Sequence, residues 1–159
     1  MSASFFWCPH SSDGGATLEA KVAIPKLTSV KPTGASRGTV QGVASEEEFR
    51  ADISGASRLS GEIQAAQTKL RLSGASSVDL TGSSPIFKLN GSGASRAVME
   101  DFAIDSAEVH LSGASSATLN VKDKFGPVSL SGASRLVYLG DPTFKDFHAS
   151  GASSISAHE

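Results

Sequence analysis

The tripeptide Gly-Ala-Ser recurs seven times in this chain, beginning at Gly34, Gly55, Gly74, Gly93, Gly113, Gly132 and Gly151. The steps between copies are 21, 19, 19, 20, 19 and 19 residues. That period is too long for a hexapeptide coil and too short for a helix-pair repeat. The stretches between copies alternate apolar and polar side chains and show no helical period, which marks half-buried strands. The 28 Ser, 21 Ala and 16 Gly would spell disorder if they were scattered, because they leave little side chain to bury. Fixed in register, they spell corners. The pattern predicts an all-β fold: a right-handed parallel β-helix, or β-solenoid, of about six coils with 19–21 residues per coil and Gly-Ala-Ser at one corner.

Apolar side chains sit two and four positions before most of the glycines: Ala51 and Ile53, Leu70 and Leu72, Val109 and Leu111, Val128 and Leu130, Phe147 and Ala149. Two copies keep only the outer member, Val30 and Leu89. Four and six positions after the glycine the pattern returns as Val78 and Leu80, Ala97 and Met99, Ala117 and Leu119, Leu136 and Tyr138. These two runs are predicted to be strands that stack on their own copies, with Leu72, Leu111 and Leu130 in one buried column. Turn formers such as Gly61, Gly82 to Pro85, Gly126-Pro127 and Gly140 to Pro142 mark a second, variable corner. At about 3.3 Å per residue a 19-residue coil has a contour near 60 Å, enough for two or three short strands around a thin core.

Each corner position has a physical task. Gly adopts positive φ without penalty, Ala is expected on the inside of the bend, and Ser is expected to bond its own corner or the serine one coil away. The serines form a row: Ser36, Ser57, Ser76, Ser95, Ser115, Ser134 and Ser153. A second hydroxyl row, Thr33, Ser54, Ser73, Ser92, Ser112, Ser131 and Ser150, precedes the glycines.

Charge narrows the function classes. The formal net charge is −2, which excludes a strongly basic nucleic-acid binder, and no apolar stretch approaches the roughly 18 residues that span a bilayer. The single cysteine, Cys8, has no partner thiol for a disulfide. Residues 1–16 read as a leading segment and residues 17–159 as the β-helix, whose first strand is expected at 17–24. Phe5, Phe6 and Trp7 give the leading segment the means to cap the open core, and its removal is expected to promote end-to-end self-association.

The recurring Ser-Gly-Ala-Ser, the run Val22-Ala23-Ile24-Pro25-Lys26-Leu27 leading to Thr33-Gly34-Ala35-Ser36, and the closing Leu136-Val137-Tyr138-Leu139-Gly140-Asp141-Pro142 resemble the putative auto-transporter adhesin, head GIN domain family. The resemblance covers about Thr17 to Glu159. It implies a bacterial, exported, periplasmic or cell-surface protein with a pectin-lyase-like β-helix and an adhesive role, and it brings no catalytic residues to carry over. The family's further strands before the Val-x-Ile-Pro-x-Leu element, and its export signal, have no visible counterpart here. The expectation is therefore a domain truncated at its amino-terminal end.

The chemistry-bearing residues are sparse. His110 and His148 are expected in one outward column two coils apart, and the Glu46-Glu47-Glu48 run in the longest coil reads as a solvated bulge. Asp101, Asp105, Asp123, Asp141 and Asp146 repeat at no single coil position, and neither do Thr39, Thr68, Thr81, Thr118 and Thr143, which argues against an ice-binding array. Four of the six arginines stand out, because Arg37, Arg58, Arg96 and Arg135 each follow a Gly-Ala-Ser directly. They predict an arginine strip able to contact carboxylates or sulfates on a surface polysaccharide or a protein. The expected function is a non-enzymatic surface or cell-envelope interaction module without metal or cofactor. A polysaccharide lyase or hydrolase and a purely structural stalk are the alternatives.

Overall fold

The computed structural model describes residues 3–7, 18–22 and 27–158, with side chains described for residues 28–158. Every described element is a strand: β1 (Ala3–Trp7), β2 (Leu18–Val22), β3 (Leu27–Pro32), β4 (Ser36–Ile53), β5 (Arg58–Leu72), β6 (Ser77–Gly91), β7 (Arg96–Leu111), β8 (Ser116–Leu130), β9 (Arg135–Leu139), β10 (Thr143–Ala149) and β11 (Ser154–Ala157). All pairings are parallel and join the strands into one 11-stranded sheet wound on itself. This is the parallel β-helix that the repeat predicts.

Each of β4 to β8 carries almost one whole coil, divided by breaks in register. In β4 the breaks fall between Val40 and Val43 and between Ser45 and Glu48. A coil therefore has three runs: an exit run leaving the Gly-Ala-Ser corner, a back run, and an approach run leading to the next corner. The approach column holds β1, β3, the ends of the five long strands, and β10. Eight stacked segments make about seven turns, against the six read from the repeats, because β1 pairs with β3 a turn before the first Gly-Ala-Ser. The side chains of Phe5, Phe6 and Trp7 lie outside the described residues.

Coil length varies only away from the constant corner. In the 21-residue coil, three-residue steps in β4 (Val40 to Val43, Ser45 to Glu48) face two-residue steps in β5. Gly42, at φ 66°, turns in the first of these insertions. The Gly-Ala-Ser corner tolerates no such insertion because it is itself a ladder. Ala56, Ala75, Ala94, Ala114, Ala133 and Ala152 each donate a backbone N–H to the carbonyl of the glycine one coil before, at 2.8–2.9 Å. The glycines hold φ between 72° and 79°. A Cβ on Gly74 would lie 2.7 Å from the Gly55 carbonyl oxygen, so both conformation and stacking demand glycine.

Serine, and not alanine, takes the inside of the corner. The corner alanines are exposed, whereas Ser57, Ser76, Ser95, Ser115 and Ser134 are at most 2% exposed. Ser57, Ser76, Ser115, Ser134 and Ser153 donate to the carbonyl three residues earlier at 2.7–2.8 Å, closing the four-residue bend. Ser36 bonds Thr33 in the same way. The hydroxyl is what seats serine inside: it supplies a donor to a carbonyl that the bend turns away from its neighbours, which alanine cannot do. Only Ser95 and Ser115 contact each other across coils, at 3.1 Å.

The predicted inward positions are buried from Val30 to Leu136, while Phe147 in the last coil is 42% exposed. The leucine column is interrupted. Leu72 faces Gly91, which faces Leu111, then Leu130. Leu111 leans into the seat that Gly91 leaves empty, since a Cβ there would sit 2.8 Å from Leu111 Cδ2. A further inward column was not apparent from the repeats: Phe49, Thr68, Phe87, Ala107, Phe125 and Phe144 stack in register. Large and small residues alternate along most of it, which lets rings interdigitate in a thin core. Thr68 Oγ1 is buried there without a hydrogen-bond partner.

Candidate functional site

The ladder places the exit-run arginines in a single outward column, in the order Arg37, Arg58, Ser77, Arg96, Ser116, Arg135, Ser154. Neighbours in the column are one strand spacing apart, about 4.8 Å, so Arg58, Arg96 and Arg135 recur at roughly 10 Å. All four guanidinium-bearing residues are exposed, and none forms an ion pair with a described residue. Arg58 Nε donates to Ser77 Oγ at 3.0 Å, so a serine in the column holds a neighbouring arginine along the strip. The adjacent outward column runs Thr39, Ser60, Asp79, Val98, Thr118 and Val137. Thr39 and Thr118 thus do share a coil position, contrary to the sequence reading, but three other residue types separate them and no threonine array results.

The approach face is charged differently, because most of its cations are matched by carboxylates, Arg71 being an exception among the described residues. Lys69 and Arg50 lie 2.6 Å and 2.8 Å from Glu48, and Lys88 lies 2.5 Å from Glu108. Glu48 therefore leaves the solvated acidic run to which it was assigned. The hydrogen bond from Lys69 outweighs the opposing cost of burial and, with a lesser contribution from Arg50, holds the Glu48 carboxyl below the ordinary carboxylate range. Lys88 does the same for Glu108, with help from His110 at 3.3 Å. His110 and His148 share one column with Ser129 between them. Among the described residues no three His, Cys, Asp or Glu side chains converge as metal ligands would.

A feature that the sequence reading passed over lies on the approach face. The outward column Lys31, Asp52, Arg71, Asn90, His110, Ser129 and the hydroxyl row that precedes the glycines run side by side. Between them is an open trough of about 570 Å³ parallel to the solenoid axis. Its floor is the edge of the inward column, Ile53, Leu72, Gly91 and Leu111. The signal was present in the sequence as the second hydroxyl row, which was read only as corner chemistry.

A family model described as putative auto-transporter adhesin, head GIN domain, matches residues 8–142. The chain belongs to that family. No curated protein and no solved structure matches the chain significantly. Within the head GIN match fall six of the seven Gly-Ala-Ser corners and all four arginines of the strip, while the last corner, at Gly151, lies beyond it. The family description names an adhesin head. No helix among the described residues is long and apolar enough to cross a membrane.

Proposed function

We propose that this head GIN domain is a non-enzymatic interaction module of the bacterial cell surface or envelope, and that it engages anionic polymers through its regular outward columns. The observation that carries the reading is the arginine column: four exposed guanidinium groups, without carboxylate partners among the described residues, aligned by the strand ladder along one edge. A guanidinium presents a planar fork of donors that suits carboxylate and sulfate, and serial weak contacts along a rigid rod add by avidity. The family's adhesin description and the all-strand fold agree with surface recognition. A stalk would need no such aligned charge.

The test is retention of the purified domain on a sulfated or uronic-acid polymer at rising salt, beside the Arg37/Arg58/Arg96/Arg135→Ser variant. Serine is already the residue that alternate coils use at this position, so the substitution leaves the ladder intact. Binding should weaken with salt and fall further in the variant. Salt-insensitive binding, or binding unchanged by the four substitutions, removes the strip from the function.

A further inference from the structure

The trough on the approach face has the features of a site for an extended polymer. Its two walls are straight because they are ladder columns, and each coil advances them by about 4.8 Å. Successive members of the hydroxyl row from Thr33 to Ser131 span five such steps, roughly 24 Å. One step is close to the length of a single pyranose unit in an extended glycan, so a linear glycan laid in the trough meets an equivalent hydroxyl at nearly every ring. A peptide strand, which advances one residue per 3.3 Å, falls out of phase with the row within a few residues.

The chemistry of the lining agrees with a sugar. The floor is strand backbone at Ile53, Leu72, Gly91 and Leu111, whose side chains turn into the core, so a sugar would be held from the two polar walls. The hydroxyls on one wall are only loosely engaged. Ser92 Oγ reaches the Leu72 carbonyl at 3.3 Å, Ser112 Oγ the Gly91 carbonyl at 3.4 Å, and Ser131 Oγ the Leu111 carbonyl at 3.5 Å. Bonds that long are weak, so these groups can turn to a ligand. On the other wall Lys31 lies 3.7 Å from Asp52, and His110 lies 3.3 Å from Glu108. Between those pairs stand Arg71 and Asn90, exposed and without a partner among the described residues. The middle of the trough thus offers an unneutralised guanidinium and an amide, flanked by Ser73 and Ser92.

We infer that this trough binds a linear, carboxylate-bearing polysaccharide, with ring hydroxyls on the serine row and a uronate carboxylate on Arg71. The inference rests on the polymer-binding reading above but uses a different face, separated from the arginine strip by the Gly-Ala-Ser corner. It names the carboxylate sugar that the strip alone does not.

Isothermal titration with β-1,4-linked mannuronate oligomers of two to eight units, against the neutral mannose oligomers of the same linkage, tests it. Affinity for the acidic series should rise with length to about five units and then level off, as the trough fills. The neutral series should bind about tenfold or more weakly, and Arg71→Ala should remove that difference while Arg71→Lys keeps part of it. Ser92→Val, which fills the trough without changing charge, should weaken both series. Far-UV circular dichroism and melting of each variant check that the coil is intact. Equal binding of acidic and neutral oligomers overturns the assignment. So does mannuronate binding that survives Arg71→Ala and Ser92→Val but disappears in the four-arginine variant, and that result leaves the strip reading standing. Absence of mannuronate binding by the native domain overturns the trough assignment, and retention on the sulfated polymer then decides the strip reading separately.

Discussion

Leu111 fills two seats of the core, its own and the one that Gly91 leaves vacant, so truncating it should cost more than an ordinary leucine deletion. Leu→Ala substitutions in close-packed cores cost about 2–5 kcal/mol, rising with the cavity left behind. Leu111 is 3% exposed, and the ladder on either side is held by backbone bonds, so collapse into the void is restricted. Leu111→Ala should therefore fall in the upper half of that range, about 3–5 kcal/mol. For a chain of 159 residues this corresponds to a melting midpoint lower by roughly 6–20 °C. Gly91→Ala alone should also destabilise, by about 1–3 kcal/mol, because its Cβ would meet Leu111 Cδ2 at 2.8 Å and Ser95 Oγ at 3.1 Å. In the Leu111→Ala background the same methyl occupies the void and should be neutral or stabilising. Thermal and urea unfolding followed by far-UV circular dichroism on the four proteins give the coupling energy directly, expected to exceed about 1 kcal/mol. A Leu111→Ala loss below about 1 kcal/mol, or a Gly91→Ala cost that is the same in both backgrounds, would refute the shared-seat argument.

Thr68→Val replaces an orphaned buried hydroxyl with a methyl of similar shape and should raise stability by about 1 kcal/mol in urea unfolding; a loss would show that the hydroxyl has a partner. Within one tripeptide, Gly74→Ala should destabilise by at least ~2 kcal/mol, since φ is 73° and the Cβ meets the Gly55 carbonyl, whereas exposed Ala75→Ser should stay within about 0.5 kcal/mol. If the two substitutions cost the same, the corner is not built as described. The lowered carboxyls of Glu48 and Glu108 contribute stability that is present above the ordinary carboxylate range and is lost as pH falls through their folded-state pKa. The melting midpoint should therefore drop on acidification below about pH 4, and more shallowly in a Glu48→Gln/Glu108→Gln variant. Each pair is partly exposed, so each is worth only about 0.2–1 kcal/mol, and identical pH profiles would show that the ion pairs are idle.

The fold was legible because a solenoid writes its geometry into the sequence once per coil. The spacing of Gly-Ala-Ser gave the coil, and alternation beside it located Leu70, Leu89, Val109 and Val128 in the core. Two kinds of information were not local. The Phe49 to Phe144 column alternates residue types from coil to coil, so no single repeat displays it, and it becomes visible only when coils are laid in register. The coil ahead of the first Gly-Ala-Ser lacks that tripeptide altogether, so the repeat count missed a turn that backbone pairing supplies. Size alone suggests Ala for the inside of the corner, whereas the buried carbonyl's need for a donor gives that place to Ser, through the bond within its own corner that the sequence leads one to expect. The arginine column was readable because all four residues hold the same offset from the glycine. The trough was not, since a concavity between two outward columns depends on which residues the ladder brings side by side and on which cations are already neutralised, and both are properties of the stack.

The central claim is that this domain binds an anionic polymer and does not transform it. Incubating the purified domain with a uronic-acid polymer, and following both the bound fraction and the appearance of new reducing ends and unsaturated uronate absorbance over many hours, addresses it directly. Binding should be salt-sensitive, with polymer length and reducing-end count unchanged. Accumulation of new chain ends in proportion to protein concentration, abolished by heat denaturation, would contradict it.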